Sequence, residues 1–413
     1  MVDTGAPPAA APTPSARTDH GMPRFLRDLG WGLFCASSWT WCIGTFLPFL
    51  MLRLHGWPGF WLFLVPNVLG CTLFGWWFTP ESSRAFCARH QKLMASFSAV
   101  TAAYQVAFLA WMLPAAAGFV DEPGCATGPG MMTALALGLA TVATLGTWWR
   151  KDAAWIAVAC VATIGSIVLL WQVPVSPMGE WPSEGTLPRR DLLLAAPVII
   201  AGFLACPALD LTFHRARQSV ESPRAFVVFG IAFGLTIVGV AMQWDGTAAA
   251  PGAAMLCVWC VQLPFTALAH VRELDGIVRR GGLDVRSECG PELFLAGPRV
   301  VDSLLRALVA VGVIAAIGIV VQALGPESPF AWYFPGETGY LRWLAMYGVV
   351  FPVLVLAARA GWSFGKGVVA VVLASMGAEL GFLQDSAWWL LWPAGVMLIA
   401  LMDAPRASTR SAR

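Results

Sequence analysis

What most limits the fold of this chain is a succession of apolar runs, each about 20 residues long, the length a helix needs to cross the hydrocarbon core of a bilayer. About twelve such runs can be marked, centred near Trp41, Val68, Tyr104, Gly138, Ala162, Phe203, Phe233, Gln262, Gly312, Val349, Leu373 and Gly395. They are too long and too evenly apolar for barrel strands. Lipid offers no partner to a free backbone N–H or C=O, so each run is expected to be a helix that satisfies its own backbone. The fold class is therefore all-α, a polytopic membrane helix bundle of about 12 spans. Composition excludes the soluble alternative: 58% of the 413 residues are hydrophobic and 12% are charged, against about 25% charged in a soluble domain. No loop is long enough to enclose a second core.

Orientation follows from the basic residues, which favour the cytoplasmic side. With the N-terminus inside, roughly 22 of the 26 Lys and Arg fall in cytoplasmic loops or tails; Arg53, Arg189, Arg190 and Arg342 form the outer set. A missed or invented span would exchange the sides of every later loop, so span count and orientation support each other. The expected location is the cell (inner) membrane, with both termini cytoplasmic. Residues 1–22, rich in Ala and Pro, read as a disordered cytoplasmic tail rather than a signal peptide, and 405–413 as a second tail. The net charge of +2 and the lack of any recognition motif argue against nucleic acid as a partner. The expected partners are the lipid bilayer and a small-molecule solute; oligomeric state is not legible.

Two runs stand out because Gly, Pro and polar residues interrupt them. The first, Gly30–Leu52 (GWGLFCASSWTWCIGTFLPFLML), carries Ser37, Ser38, Thr40, Trp41 and Thr45 around Gly44, then Pro48. The sixth, Leu192–Phe213 (LLLAAPVIIAGFLACPALDLTF), carries Gly202, Cys206, Pro207 and Asp210. They lie five places apart in span order, so they enter the membrane from opposite sides. This is the pattern of an inverted repeat with two discontinuous helices, which open their backbones at mid-depth to a polar solute or an ion. The expected layout is a ten-helix core over 23–361, with repeat one at 29–173 and repeat two at 192–361, followed by two accessory spans over 362–404. The competing explanation is that Gly, Pro and small hydroxyl residues serve kinks and close helix packing.

Ala36–Gly44 with Leu54–Gly56, the stretch Gly202–Gln218, and the five, five and two span count together resemble the sodium:solute symporter family and the wider amino-acid–polyamine–organocation superfamily. The resemblance implies a five-plus-five core and alternating access around a midplane site. It implies no cofactor beyond a coupling ion, Na+ or H+. An ion would sit against carbonyls of the first broken helix, near Gly44, and a hydroxyl of the eighth span, where Gly252–Val271 offers Thr266. It also places the third span, with Tyr104 and Gln105, beside the first break.

The expected solute-binding set is thus Ser37, Ser38, Thr40, Trp41, Thr45, Tyr104, Gln105, Cys206, Asp210 and Gln262, with Thr266 and Gly44 for the ion. Asp210 has two readings: a gate or proton-linked carboxylate, or an interfacial acid pairing with Arg215 or Arg217. Glu379 reads as snorkelling outward. His214 and His270 read as cytoplasmic-end residues, the Cys257–Cys260 pair as packing, and Trp148–Trp149 and Trp388–Trp389 as interface belts. No catalytic motif stands in a suitable context, so the chain reads as no enzyme. A membrane enzyme built near Asp210 and His214, or a non-transporting subunit or sensor docking through the basic loop Arg272–Arg299, remain the alternatives.

Overall fold

The computed structural model of the chain describes residues 23–118, 128–172, 184–243, 253–279, 336–384 and 386–404. Among them, nine helices are long and apolar enough to cross a membrane, and no strand occurs. The protein is a multi-pass membrane helix bundle. The expected ninth run, centred at Gly312, lies outside the described residues. So do both tails, most of the basic loop after Arg279, and residues 173–183 of the outer loop.

The chain opens with α1 (Arg24–Trp39) and α2 (Cys42–Trp77), separated at Thr40–Trp41. Within α2, Gly56 has φ 62° and ψ −158°, a conformation that only glycine adopts without strain. The chain reverses there, so that Trp39 on the outward leg meets Asn67 on the return, Nε1 donating to Oδ1 at 3.0 Å. Pro58 sits in the first turn of the returning leg, where its missing N–H leaves nothing unpaired. Gly56→Ala should therefore destabilise the bundle by about 1–3 kcal/mol. Thermal unfolding of the purified protein in detergent checks this, and an unchanged midpoint would contradict the reversal.

The short helix α3 (Pro80–Arg89), started by a Thr79–Ser82 capping box, leads to α4 (Gln91–Gly118). Then follow α5 (Gly128–Thr147) and α6 (Asp152–Gln172). The second interrupted element is α7 (Arg189–Ala205), a tight 3-10 turn over Cys206–Leu209, and α8 (Leu211–Ser219). After it come α9 (Arg224–Ala241) and α10 (Ala253–Arg279). Next is α11 (Gly336–Ala345), a π-type turn over Met346–Val350, and α12 (Phe351–Arg359). The described chain closes with α13 (Phe364–Leu383) and α14 (Leu391–Asp403).

Contacts at the two ends of the bundle give the two interrupted elements opposite directions. At one end the start of α1 meets the segment after α8: Ser222 Oγ donates to Asp28 at 2.8 Å, and Arg27 pairs with Glu221 at 3.7 Å. At the other end the approach to α7 meets the Gly56 reversal, where Leu187 N–H donates to Leu54 O at 2.8 Å. The element α1–α2 thus runs away from the first end, and α7–α8 runs toward it. Of the nine long helices, α10 is the most buried and α5 the least. Outward faces of α5, α6 and α13 carry exposed Met132 and Leu139, Val161 and Ile164, and Val369 and Met376. Such apolar faces suit lipid.

Candidate functional site

The first break forms because Thr40 adopts φ −75° and ψ 70°, an inverse γ-turn, with Trp41 N–H donating to Trp39 O at 2.8 Å. Leaving the helix frees backbone groups inside the bundle, where an unpaired group is costly. Side chains from distant spans and from the break itself take them up. Thr266 Oγ1 on α10 donates to Ser37 O at 3.0 Å, and Trp41 Nε1 donates to Ser38 O at 2.7 Å. Cys42 N–H donates to Gln105 Oε1 on α4 at 3.1 Å, and Tyr340 O–H donates to Cys42 O at 3.3 Å. Thr40 and Thr45 return their hydroxyl protons to carbonyls one turn back, Ala36 O at 2.7 Å and Trp41 O at 3.2 Å.

The interruption lies at Thr40–Trp41 rather than around Gly44. Gly44 is in the first turn of α2, and a Cβ there would stand 3.3 Å from the Phe233 ring. Its small size serves packing against α9, and the break expected around Gly44 stands instead at Thr40–Trp41.

The second break follows from Pro207 and Asp210. The 3-10 turn ends at Asp210, which has φ −82° and ψ 113°, and its side chain then caps α8. Asp210 Oδ1 accepts Thr212 N–H at 2.6 Å, Phe213 N–H at 3.4 Å and Thr212 Oγ1–H at 2.7 Å. This is an N-cap within the bundle, and Asp210 is fully buried. Neither Arg215 nor Arg217 pairs with it. Arg215 meets Asp152 at 2.6 Å and Glu273 at 3.3 Å, while Arg217 donates to Phe78 O at 2.6 Å and Val220 O at 2.9 Å. The interfacial reading of Asp210 is thereby overturned. Its remaining oxygen, Oδ2, lies 3.7 Å from His270 Nε2.

The two breaks meet through hydroxyls: Ser38 Oγ and Thr212 Oγ1 are 2.9 Å apart. Around this joint Ser37 Oγ bonds Thr163 Oγ1 at 2.8 Å, and Tyr347 O–H donates to Thr101 Oγ1 at 3.0 Å. Cys206 Sγ donates to Tyr347 O at 2.9 Å, and Gln262 Nε2 donates to Ser166 Oγ at 3.0 Å. Tyr104 stacks on Trp343. Apart from Tyr104, the nominated polar side chains therefore lie in a web of hydrogen bonds within the protein.

Beside the joint is a cavity of about 120 Å³ that runs toward the Gly56 end between α2, α7, α11 and α13. Its walls are mostly aliphatic and aromatic, with Trp39 and Trp41 at the break and Asn67, His55 and Asp191 as polar points. Of the nominated residues Trp41, Gly44 and Cys206 line it. Ser37, Ser38, Thr40, Thr45, Tyr104, Gln105, Asp210, Gln262 and Thr266 stand behind or beside its wall. Sequence reasoning missed Asn67, which a lone amide in an apolar run could have signalled. It also missed Phe233 and Tyr347, which carry no such signal.

Other expectations change as well. Glu379 takes a forked contact from Arg342, with Nη2 at 2.6 Å and Nε at 3.1 Å. His214 and His270 are buried. Trp149 is buried, donating to Asp275 at 3.2 Å, whereas Trp148 is exposed as expected of an interface residue. The end of the bundle near Asp28 carries a charge cluster: Arg215 bridges Asp152 and Glu273, and Arg272 also pairs with Asp152. The carboxylate of Glu273, followed by that of Asp152, holds the Arg215 guanidinium above its ordinary pKa.

No family model matches the chain, and no curated protein matches it in sequence.

Proposed function

We propose that this chain is a secondary carrier that moves a small organic solute across the cytoplasmic membrane by alternating access, coupled to an ion. The observation that carries the reading is the pair of opposed helix breaks joined at Ser38–Thr212. Discontinuous helices of opposite direction, open at mid-depth beside a cavity, are the arrangement a carrier uses to bind a solute and close around it. In this reading the core is the five-plus-five repeat with two accessory spans, about twelve in all. Both termini are cytoplasmic, and the Arg215–Asp152–Glu273 cluster shuts the cytoplasmic side. The cavity is then the outward-facing half of the path. Its apolar walls with a few polar points favour a solute with an apolar body and one or two polar groups, a narrower class than polar solutes in general. The Asp210–His214 spacing carries no enzyme reading, because His214 bonds Ser83 and Ala208 O instead of the acid.

Alternating access can be tested before the solute is known. Val198 lines the cavity, and a thiol placed there by Val198→Cys should react with a membrane-impermeant maleimide in both right-side-out and inside-out vesicles. The labelled peptide is quantified by mass spectrometry. Ser38→Leu, which forces an apolar branch against Thr212, should shift the ratio of the two labelling rates by about tenfold or more. Reactivity confined to one face in the parent protein, or a ratio untouched by Ser38→Leu, would remove the carrier reading.

A further inference from the structure

Resting on the carrier reading, we propose that the coupling ion is a proton, bound between Asp210 at the second break and His270 on α10, and that Thr212 relays its presence to Ser38 in the first break.

The geometry starts from two buried atoms. Asp210 Oδ2 and His270 Nε2 each lack a hydrogen bond among the described residues, and they face each other at 3.7 Å. Both side chains are fully buried. A carboxylate and a neutral imidazole held this way can take up one further proton between them. With a ring proton on Nε2 the pair carries one negative charge. With one more proton it is neutral, as imidazolium and carboxylate or as imidazole and carboxylic acid. A closure of roughly an ångström then makes a normal hydrogen bond.

Each protonation state has its own support, which a reversible proton site requires. In the charged state, Oδ1 is held by two backbone N–H groups and the Thr212 hydroxyl at the α8 N-terminus, where a negative charge is favoured. In the neutral state the ring is held from its other side, with Nδ1 3.1 Å from Ser98 Oγ. Ser98 Oγ accepts from Nδ1–H when the ring is imidazolium, whose second proton, on Nε2, then points toward the acid. Among the described residues, the other ionisable groups within electrostatic range of Asp210 are Glu273 on α10, Cys35 on α1, Cys71 on α2, Cys206 just before it, and Tyr347 between α11 and α12. None of these is cationic, and Arg215 and Arg272 at the nearby end are engaged with Asp152 and Glu273. His270 otherwise packs against the rings of Trp41 and Phe97. A proton arriving here has the Asp210–His270 pair as its acceptor.

The relay is a chain of contacts. His270 faces Asp210, Asp210 Oδ1 accepts from Thr212 Oγ1 at 2.7 Å, and Thr212 Oγ1 lies 2.9 Å from Ser38 Oγ. Thr212 has one hydroxyl proton. When Asp210 is ionised that proton is held by Oδ1, and Ser38 must donate to Thr212. When a proton neutralises the pair, the hold of Oδ1 weakens, the Thr212 hydroxyl can turn to donate to Ser38 Oγ, and Ser38 in turn donates to Cys35 O, already 3.1 Å away. One proton thus sets which way the hydrogen bond between the two breaks points. Only O–H and N–H bonds change: hydronium on one side gives the proton to the pair, water on the other side takes it, and no electrons move.

The test uses the full chain in the same vesicles, with the pH equal on both sides. The ratio of inward to outward labelling of the Val198→Cys thiol should change about fivefold or more between about pH 5.5 and 8.5, with the steepness of a single proton. Asp210→Asn and His270→Gln should each flatten the dependence to less than about twofold. If Asp210→Asn fails to reach the membrane, because it weakens the α8 cap, His270→Gln alone decides. Labelling from both faces with no pH dependence in the parent, or an unchanged pH profile in His270→Gln, overturns the proton site and leaves the carrier standing. Labelling from one face at every pH removes the carrier and the proton site together.

Discussion

Trp41→Ala is expected to lower the stability of the bundle by about 3–5 kcal/mol, the cost of emptying a large buried site that cannot collapse. The Trp41 ring is enclosed by Trp39, Phe97, His270 and Tyr347, with centroids at 4.5, 5.6, 5.9 and 5.0 Å. Lipid tails are as apolar as the bundle interior, so the loss is one of contact and dispersion rather than of transfer from water. The indole also donates to Ser38 O at 2.7 Å, covering a carbonyl that the Thr40 turn leaves without a helical partner. Trp41→Phe keeps most of the ring contact and loses that bond, so it should cost about 1–3 kcal/mol, the range for leaving a buried acceptor unsatisfied. Unfolding in mixed micelles, followed for both variants, separates packing from hydrogen bonding. An Ala variant within about 1 kcal/mol of the parent would show that the indole does not hold the break.

Arg215→Met is the second change with a large expected effect, a loss of roughly 2–3 kcal/mol. That lies below the ~3–5 kcal/mol of a fully buried pair, because Asp152 is open to solvent and the pair is partly screened. The side chains of Arg215 and Asp152 are 27% and 45% exposed, but that of Glu273 is only 7% exposed. Removing the guanidinium leaves the Glu273 carboxylate buried without its partner at 3.3 Å. It also unties α8 from the start of α6 and the end of α10. The raised Arg215 pKa fixes the pH behaviour. Its stabilisation is fully present below the ordinary arginine value and is lost only as pH rises through the higher folded value. The Arg215→Met deficit should therefore be constant across neutral pH, which sets it apart from the pH response assigned to Asp210 and His270. In the carrier reading the same variant should raise labelling from the Asp28 end. A deficit that vanished in moderate salt would mean that the cluster behaves as a surface pair.

The interruption of both runs was legible from residue types, because few residues other than Gly, Pro and paired hydroxyls tolerate a break inside lipid. Their exact positions were legible in one case only. Pro207 and Asp210 act locally, one by lacking an N–H and the other by capping the next helix, so the break falls where the sequence places them. Gly44 misled because a glycine inside a helix serves either a kink or a close neighbour, and its neighbour, the Phe233 ring, comes from a span far along the chain. Asp210 misled for the same reason. Of the arginines near it in sequence, Arg215 is drawn to Asp152 and Glu273 and Arg217 to backbone carbonyls, while its spatial partner is His270.

The apolar runs by themselves determined a membrane-spanning helical bundle, since a bilayer admits no other use of so many apolar segments. The polar pattern within them also marked the first and sixth runs as the ones that break. Only the tertiary structure decided which polar groups face a cavity and which satisfy one another. Ser38 meets Thr212 174 positions away, and Thr266 reaches Ser37 across 229. Hydrogen bonds of that kind depend on which helices pack side by side and at what height, and no local periodicity encodes either.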